Sequence, residues 1–246
     1  MLFFRRKKRE ADSIDLSWLN TDMHSHLLPG IDDGSPDVET SLELIKGLQA
    51  LGYKKLITTP HILWELYANT PEIIAENVAT LRKAMAEEGI DIELQAGAEY
   101  FIDEYFEAQL REKAPLLTIS DKKVLVEFSM VTAPMVLHHV LFEMQIQSYQ
   151  PVIAHPERYA YLLNRKEFFD EMREAGCLFQ ANLLSFTGYY GKPVQELAEY
   201  LVKKDYYELA GTDLHHGRHL FNLNKLGASA TFARLQASGI LQNQGL

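Results

Sequence analysis

Seven short apolar runs, each stopped by a residue able to bind a metal ion or to hydrogen-bond, alternate with helical patterns between Asp22 and Gly217. The runs close at His24 and His26, at His61, at Glu99, at Glu127, at His155, at Asn182, and at Asp213 with His215. Strands separated by helices are parallel and joined by right-handed crossovers. Periodicity alone admits an open doubly wound sheet or a closed barrel. An open sheet gathers ligands mainly at one switch point, whereas polar groups at every run end converge only if the sheet curls around a centre. The sequence therefore predicts an α/β chain of barrel type.

The helical patterns carry their own punctuation. Ser35 reads as an N-cap with Pro36 in the first turn, followed by Val38, Leu42, Ile45 and Leu48 on one face up to Gly52. Thr70-Pro71 opens a second helix bearing Ile74, Val78, Leu81 and Met85. "TAPMVLHHVLFEMQIQSY" and "KPVQELAEYLVKK" are helical, Asn164 is expected to cap a helix ending at Gly176, and the chain from about Leu220 reads as helical. No linker or low-complexity tract interrupts these patterns. Residues 21–246 thus read as one domain behind a basic tail, residues 1–20, expected to be flexible.

Composition removes several function classes. A net charge of −10 argues against a nucleic-acid partner, which needs clustered cations. The single cysteine, Cys177, excludes an internal disulfide and a thiolate zinc site. It also lacks the arginine that thiol phosphatases place six residues after the nucleophile, where this chain has Leu183, so Cys177 reads as a buried strand thiol. No run approaches the ~20 apolar residues of a membrane span. "MLFFRRKKRE" has no apolar segment after its basic residues and is not a secretory signal; a solvated tail or a membrane-surface contact through Phe3, Phe4 and Arg5 to Arg9 fits it.

Alternation along a strand points residues i and i+2 the same way. His24 with His26, and Asp213 with His215, can therefore each grip one ion. A lone His-x-His is weak, but two such dyads at strand ends, with Glu99 and Glu127 placed alike, form a pattern. Each residue also has a plainer explanation. Glu127 could sit in a structural ion pair, since bare burial of a carboxylate is costly. His61 and His155 could be loop histidines beside their prolines, and Asp32-Asp33-Gly34 an ordinary turn. His138, His139, His216 and His219 read as surface or supporting residues, and Asn182 as a hydrogen-bonding core residue.

"DMHSHLLPGIDDG", "TTPH", Glu99, Glu127, "AHPERY" and "GTDLH", in that order from Asp22 to Arg218, resemble the polymerase-and-histidinol-phosphatase (PHP) superfamily. More closely, they resemble its bacterial protein-tyrosine phosphatases of capsule and exopolysaccharide gene clusters. The resemblance implies a distorted (β/α)7 TIM-like barrel with three divalent ions, most often manganese, with iron, zinc, cobalt or magnesium as alternatives. His24, His26, Glu99 and Asp213 would hold the first ion. Glu99 would bridge to a second, completed by Glu127 and His155; Asp33, chosen over Asp32 by spacing, would hold the third with His61 and His215. Arg158 and Arg218 match phosphate-binding arginines.

Three divalent ions would outweigh the four carboxylates, leaving a cationic pocket in an acidic protein that draws a phosphate dianion. The implied reaction is direct attack of a metal-bound hydroxide on the phosphorus of phosphotyrosine, with both arginines holding the non-bridging oxygens. A tyrosine-rich tail of a bacterial kinase is the implied substrate, and the cytoplasm, at the inner membrane face if the tail docks there, the implied location. Aromatics at Trp64, Tyr67, Tyr100, Phe101, Tyr159, Tyr161, Phe186, Tyr189 and Tyr190 could flank the substrate ring. Two other functions remain compatible: a phosphatase of a small phosphomonoester such as histidinol phosphate, or a metal-binding scaffold without turnover.

Overall fold

The computed structural model describes residues 14–246. Its centre is a curled parallel sheet wrapped by helices. Sheet strands are β1 (Thr21–Asp22), β2 (Lys55–Thr58), β3 (His61–Ile62), β4 (Glu93–Ala96), β5 (Glu99–Phe101), β6 (Lys123–Glu127), β7 (Gln150–Ala154), β8 (Leu178–Asn182) and β9 (Leu209–Gly211). Hydrogen bonding orders them as β1-β2-β4 and β3-β5-β6-β7-β8-β9, all parallel.

Nine strands arise from the seven expected runs because two runs break. Between β2 and β3 lies Thr59-Pro60, and proline has no N–H to donate to a ladder. Between β4 and β5 lies Gly97-Ala98, where a Cβ on Gly97 would sit 3.1 Å from the Thr118 carbonyl oxygen. The breaks lie side by side: β2 pairs with β4 below them and β3 with β5 above. Both runs bend together, so the sheet turns sharply there while its strands stay paired.

The first and last runs meet across the curl. Ser25 bridges Leu214 in parallel, the His26 amide donates to the Leu214 carbonyl at 2.9 Å, and the Asp213 amide donates to the His24 carbonyl at 2.8 Å. Buried Asp22 accepts from the Thr212 amide at 2.8 Å and from its hydroxyl at 2.6 Å. Gly211 permits this approach, since a Cβ there would stand 2.5 Å from the His24 Cβ.

Strand alternation sorts the core into two parts. Met23, Ile57, Leu125, Val152, Ala154 and Leu209 form a small apolar plug within the curl. Their neighbours Leu56, Val124, Val126, Ile153, Phe179 and Ala210 face outward into the larger core beneath the helices.

The helices largely follow their sequence signals. In α1 (Val38–Ala50) the cap is Asp37, which accepts from the Thr40 amide, and not Ser35; Ser35 is buried and accepts a hydrogen bond from the Ser41 hydroxyl. α2 (Pro71–Glu87) starts at its expected Thr70 cap and buries the expected four apolar residues. α3 (Glu104–Arg111), capped by Asp103, is a helix the sequence reading passed over, although its acidic first turn and terminal arginine signal it. α4 is Leu137–Ile146. Asn164 caps nothing: it ends a 3-10 turn, and α5 (Glu167–Glu174) begins beyond it. α6 (Lys192–Lys203), α7 (Gly217–Leu223) and α8 (Ala230–Ser238) complete the shell.

The expected tail boundary also moves. Leu16 and Leu19 are buried in the main core, and the Leu16 amide donates to the Leu51 carbonyl at 2.7 Å, so the packed domain includes residues from at least Ile14. Residues 1–13, including Arg5 to Arg9, lie outside the described residues. No helix among the described residues is long and apolar enough to cross a membrane.

Two outcomes follow from this packing. Gly211→Ala should lower unfolding stability by about 1–3 kcal/mol in urea titration, because the clash is with a buried strand and not a flexible tip. Burial pushes the Cys177 thiol up to about 12. At pH 8 the native protein should therefore resist alkylation by iodoacetamide and become reactive only when unfolded.

Candidate metal centre

Strand ends place the charged side chains above the apolar plug. His24 and His26 continue β1, His61 opens β3, Glu99 opens β5, Glu127 ends β6, His155 follows β7, and Asp213 and His215 follow β9. His155 and Asp213 adopt left-handed backbone conformations (φ 33° and 50°). Non-glycine residues held there cluster at functional sites.

Glu99, fully buried, is the hub. Its Oε2 lies 3.2 Å from His24 Nε2, 3.4 Å from His26 Nε2 and 3.3 Å from His61 Nδ1, and its Oε1 lies 3.0 Å from His155 Nε2. Glu127 Oε1 is 3.1 Å from His61 Nδ1. Asp213 Oδ1 lies 3.4 Å from His24 Nε2 and 3.5 Å from His26 Nε2. Asp33 Oδ1 stands 3.4 Å from His61 Nε2 and 3.5 Å from His215 Nε2.

Tautomers decide what these contacts mean. His24 Nδ1 faces the Gln180 side-chain oxygen at 2.9 Å, His26 Nδ1 faces Asp32 Oδ2 at 2.8 Å, and His215 Nδ1 faces the Asp213 carbonyl at 2.9 Å. All three partners accept, so each Nδ1 carries the proton and donates it outward. Neutral rings then aim Nε2 lone pairs at one another and at carboxylate oxygens: His24 and His26 Nε2 are 3.3 Å apart. Lone pairs facing lone pairs repel unless positive charge lies between them. Either the rings protonate or a cation sits there. The outward bonds are the arrangement that orients metal-ligating histidines.

The spacings suit the cation. Donor atoms ~2.0–2.2 Å from a shared ion and ~90–110° apart stand roughly 3.0–3.5 Å from each other, the range found here. Four overlapping groups keep their ligand atoms within 4.8 Å: His26-Asp33-His61-His215, His24-His26-Asp213, His24-Glu99-His155 and His61-Glu99-Glu127. Every residue of the expected ligand set falls in at least one of them. The cluster's demand for positive charge also shows in its ionisation. Burial opposes charge on His61, yet Glu99 and Glu127 push it up to about 9. Burial raises Glu99, but His24 and His61 outweigh it and hold the carboxyl well below its usual range.

Asp32 and Asp33 divide the work. Asp32 accepts from His26 and from the Gly34 amide at 3.0 Å, while Asp33 turns toward His61 and His215. Gly34 sits so close that a Cβ would meet the His26 carbonyl at 2.3 Å.

Arg158 Nη1 donates to Asp213 Oδ2 at 2.8 Å, with its guanidinium 4.6 Å from the centre of the Tyr190 ring. Burial opposes its charge, but Asp213 raises its pKa further. Asn182, as a hydrogen-bonding core residue, donates to the same Asp213 oxygen at 2.7 Å. Arg218 is different. α7 turns His219, Asn222 and Leu223 inward, while Arg218 is exposed and outside the pocket lining. The structure does not bring Arg218 to the cluster.

The aromatic expectation also narrows. Tyr100, Tyr159 and Phe186 are buried core residues. Tyr67 and Phe101 line the pocket above the cluster, which has a volume of about 260 Å³ and a polar floor that includes Arg158. His138 and His139 are exposed on α4, away from the cluster, whereas His219 is buried and its Nδ1 lies 3.2 Å from the Asp213 carbonyl. Sequence reasoning missed Gln180. The signal was available, because Gln180 and Asn182 form an i, i+2 polar pair at the end of an apolar strand.

Comparison with known proteins gives a consistent result. A family model described as "Capsular polysaccharide synthesis, CpsB/CapC" matches residues 20–222. The chain is 30% identical over 196 residues to the tyrosine-protein phosphatase YwqE of Bacillus subtilis, covering 79% of this chain and 77% of that protein. It is 30% identical over 203 residues to the tyrosine-protein phosphatase CpsB of Streptococcus pneumoniae, covering 79% and 82%. A solved structure from work on YwqE of Bacillus subtilis and CpsB of Streptococcus pneumoniae, described there as unique metal-dependent tyrosine phosphatases, superposes with a TM-score of 0.76. That match has 27% identity and covers 91% of this chain and 94% of that one.

The outward bonds of the histidines supply a direct check on the site. Gln180→Leu leaves His24 Nδ1–H without its acceptor. It should weaken metal binding about 10–100-fold, read by metal analysis after dialysis, with the far-UV circular dichroism unchanged.

Proposed function

The chain belongs to the CpsB/CapC capsular polysaccharide synthesis family, and we propose that it is a metal-dependent protein-tyrosine phosphatase acting at the cluster around Glu99. The observation that carries this reading is the convergence of imidazole lone pairs and carboxylates on one buried centre, with Arg158 at its edge. We count the curled sheet as a distorted (β/α)7 barrel whose seven runs include the two broken ones. The donors comprise three sets: His24, His26, Glu99 and Asp213; Glu99, Glu127 and His155; and Asp33, His61 and His215. Three divalent ions suit them, and a nitrogen-and-oxygen donor set without thiolate is compatible with manganese.

Divalent ions held there supply Lewis acidity toward phosphoryl oxygens and bring the pKa of water down toward about 7. The protein supplies placement. Glu99 sits between two of the donor sets and fixes their separation, while Gln180, Asp32 and the Asp213 carbonyl lock the His24, His26 and His215 rings. Arg158 keeps one nitrogen on Asp213 and makes no second hydrogen bond to the described residues, so its remaining donors serve the non-bridging phosphate oxygens. Tyr190 supports the guanidinium from one side. Departure of tyrosine, with a pKa of about 10, needs less acid assistance than an alkyl alcohol, and the reading assigns no general acid. A tyrosine-rich tail of a kinase of capsule or exopolysaccharide synthesis is the proposed substrate, met in the cytoplasm.

Chelation should abolish hydrolysis of both p-nitrophenyl phosphate and a phosphotyrosyl peptide, with activity restored by manganese. Arg158→Lys keeps the charge but loses the planar fork, and kcat/KM should fall about 10²–10³-fold. Turnover of histidinol phosphate in preference to the peptide would instead favour a small-molecule phosphatase.

A further inference from the structure

The mouth of the pocket has two chemically different sides. Asp33, Arg158 and His215 line one of them. The other is apolar and comes from neighbouring strands: Leu63 and Leu66 follow β3, Phe101 ends β5, and Phe128 and Met130 follow β6. The apolar side continues onto the surface. Leu66 is 70% exposed and Val131, beside Met130, is 80% exposed.

Exposed aliphatic side chains on loose loops are unremarkable, but these loops are tied down. The Leu66 and Tyr67 amides both donate to the Leu63 carbonyl, at 3.0 and 2.7 Å. Asn69 donates to the His61 and Ile31 carbonyls, at 2.8 and 2.9 Å, fastening the first loop to the segment that carries Asp32 and Asp33. Trp64 stacks on Tyr105 with ring centroids 4.1 Å apart. On the second loop the Tyr161 hydroxyl donates to the Ser129 carbonyl at 3.3 Å, and the Val131 amide donates to the Ser129 hydroxyl at 3.1 Å. A surface ordered before binding has little side-chain and loop entropy left to lose.

We infer that the Leu66 and Val131 loops form an apolar lip that receives the aliphatic or aromatic residues flanking phosphotyrosine in a peptide substrate. The inference rests on the phosphatase reading and deepens it. With the phosphate on the polar floor beside Arg158, the peptide emerges at the mouth, and the lip is continuous with the wall around the ring. The lip selects sequence context, and it makes no contact with the reacting atoms. It therefore acts on peptides and leaves small aryl phosphates alone.

The test compares phosphotyrosyl peptides with leucine on both sides of the phosphotyrosine against the same peptides with serine there, using the metal-loaded full chain. Wild-type protein should favour the leucine peptide through a lower KM. Val131→Ser, which lies outside the pocket lining, should raise KM for the leucine peptide about fivefold, with kcat for p-nitrophenyl phosphate unchanged. Equal KM values for the two peptides with wild-type protein would overturn the lip whatever the variant does. So would an unaltered preference in a variant that still hydrolyses p-nitrophenyl phosphate. Failure of wild-type protein to hydrolyse any of the three compounds would remove the phosphatase reading itself, and the lip with it.

Discussion

Electron pairs at the centre of this molecule point at one another, and much of the surrounding structure keeps them there. His24, His26 and His215 are each held by an acceptor at Nδ1, so their other nitrogens face Glu99, Asp213 and Asp33 with no proton to offer in the neutral form. Carboxylates buried to this degree are costly without compensating charge. The arrangement is tolerable only with positive charge inside it, and the distances of 3.0–3.5 Å are those that ligands sharing an ion require. The centre is thus a demand for cations built into the fold.

The fold meets the geometric side of that demand by bending. A flat parallel sheet would leave Asp213 and His24 at opposite edges. Paired breaks at Thr59-Pro60 and Gly97-Ala98 turn the sheet, and the small Gly211 lets the last run close against the first. Beneath the charged layer, the plug of Met23, Ile57, Leu125, Val152, Ala154 and Leu209 keeps the interior dry. A low-dielectric floor strengthens each electrostatic contact above it.

Division of the pocket mouth into a polar and an apolar side follows from the same strand order. The polar side belongs to the segments after β1, β7 and β9. The apolar side belongs to the loops after β3, β5 and β6, which are neighbours in the sheet. Chemistry and context recognition can therefore be tuned on separate loops of one scaffold.

Much of this was legible in the chain. The i, i+2 dyads His24-His26 and Asp213-His215, and carboxylates closing apolar runs at Glu99 and Glu127, marked the cluster because such residues are expensive to bury for any other purpose. Helix starts at Thr70-Pro71 were plain because capping is local. The misses were also local. Ser35 lost its capping role to Asp37 and is held by the Ser41 hydroxyl, and Asn164 ends a 3-10 turn ahead of α5. α3 spans eight residues with only Phe106 and Leu110 buried, too few to set a clear helical period.

Sequence alone determined which residue types lie at the strand ends and that the runs between them are parallel, since both depend on composition and period along the chain. Only the tertiary structure decided that Asp32 orients His26 while Asp33 faces His61 and His215, that Gln180 fixes His24, and that Arg158 reaches the centre while Arg218 does not. Those distinctions turn on the direction of a side chain across a curled sheet or around a helix. Direction is set by contacts between segments distant in sequence, and a linear pattern does not contain it.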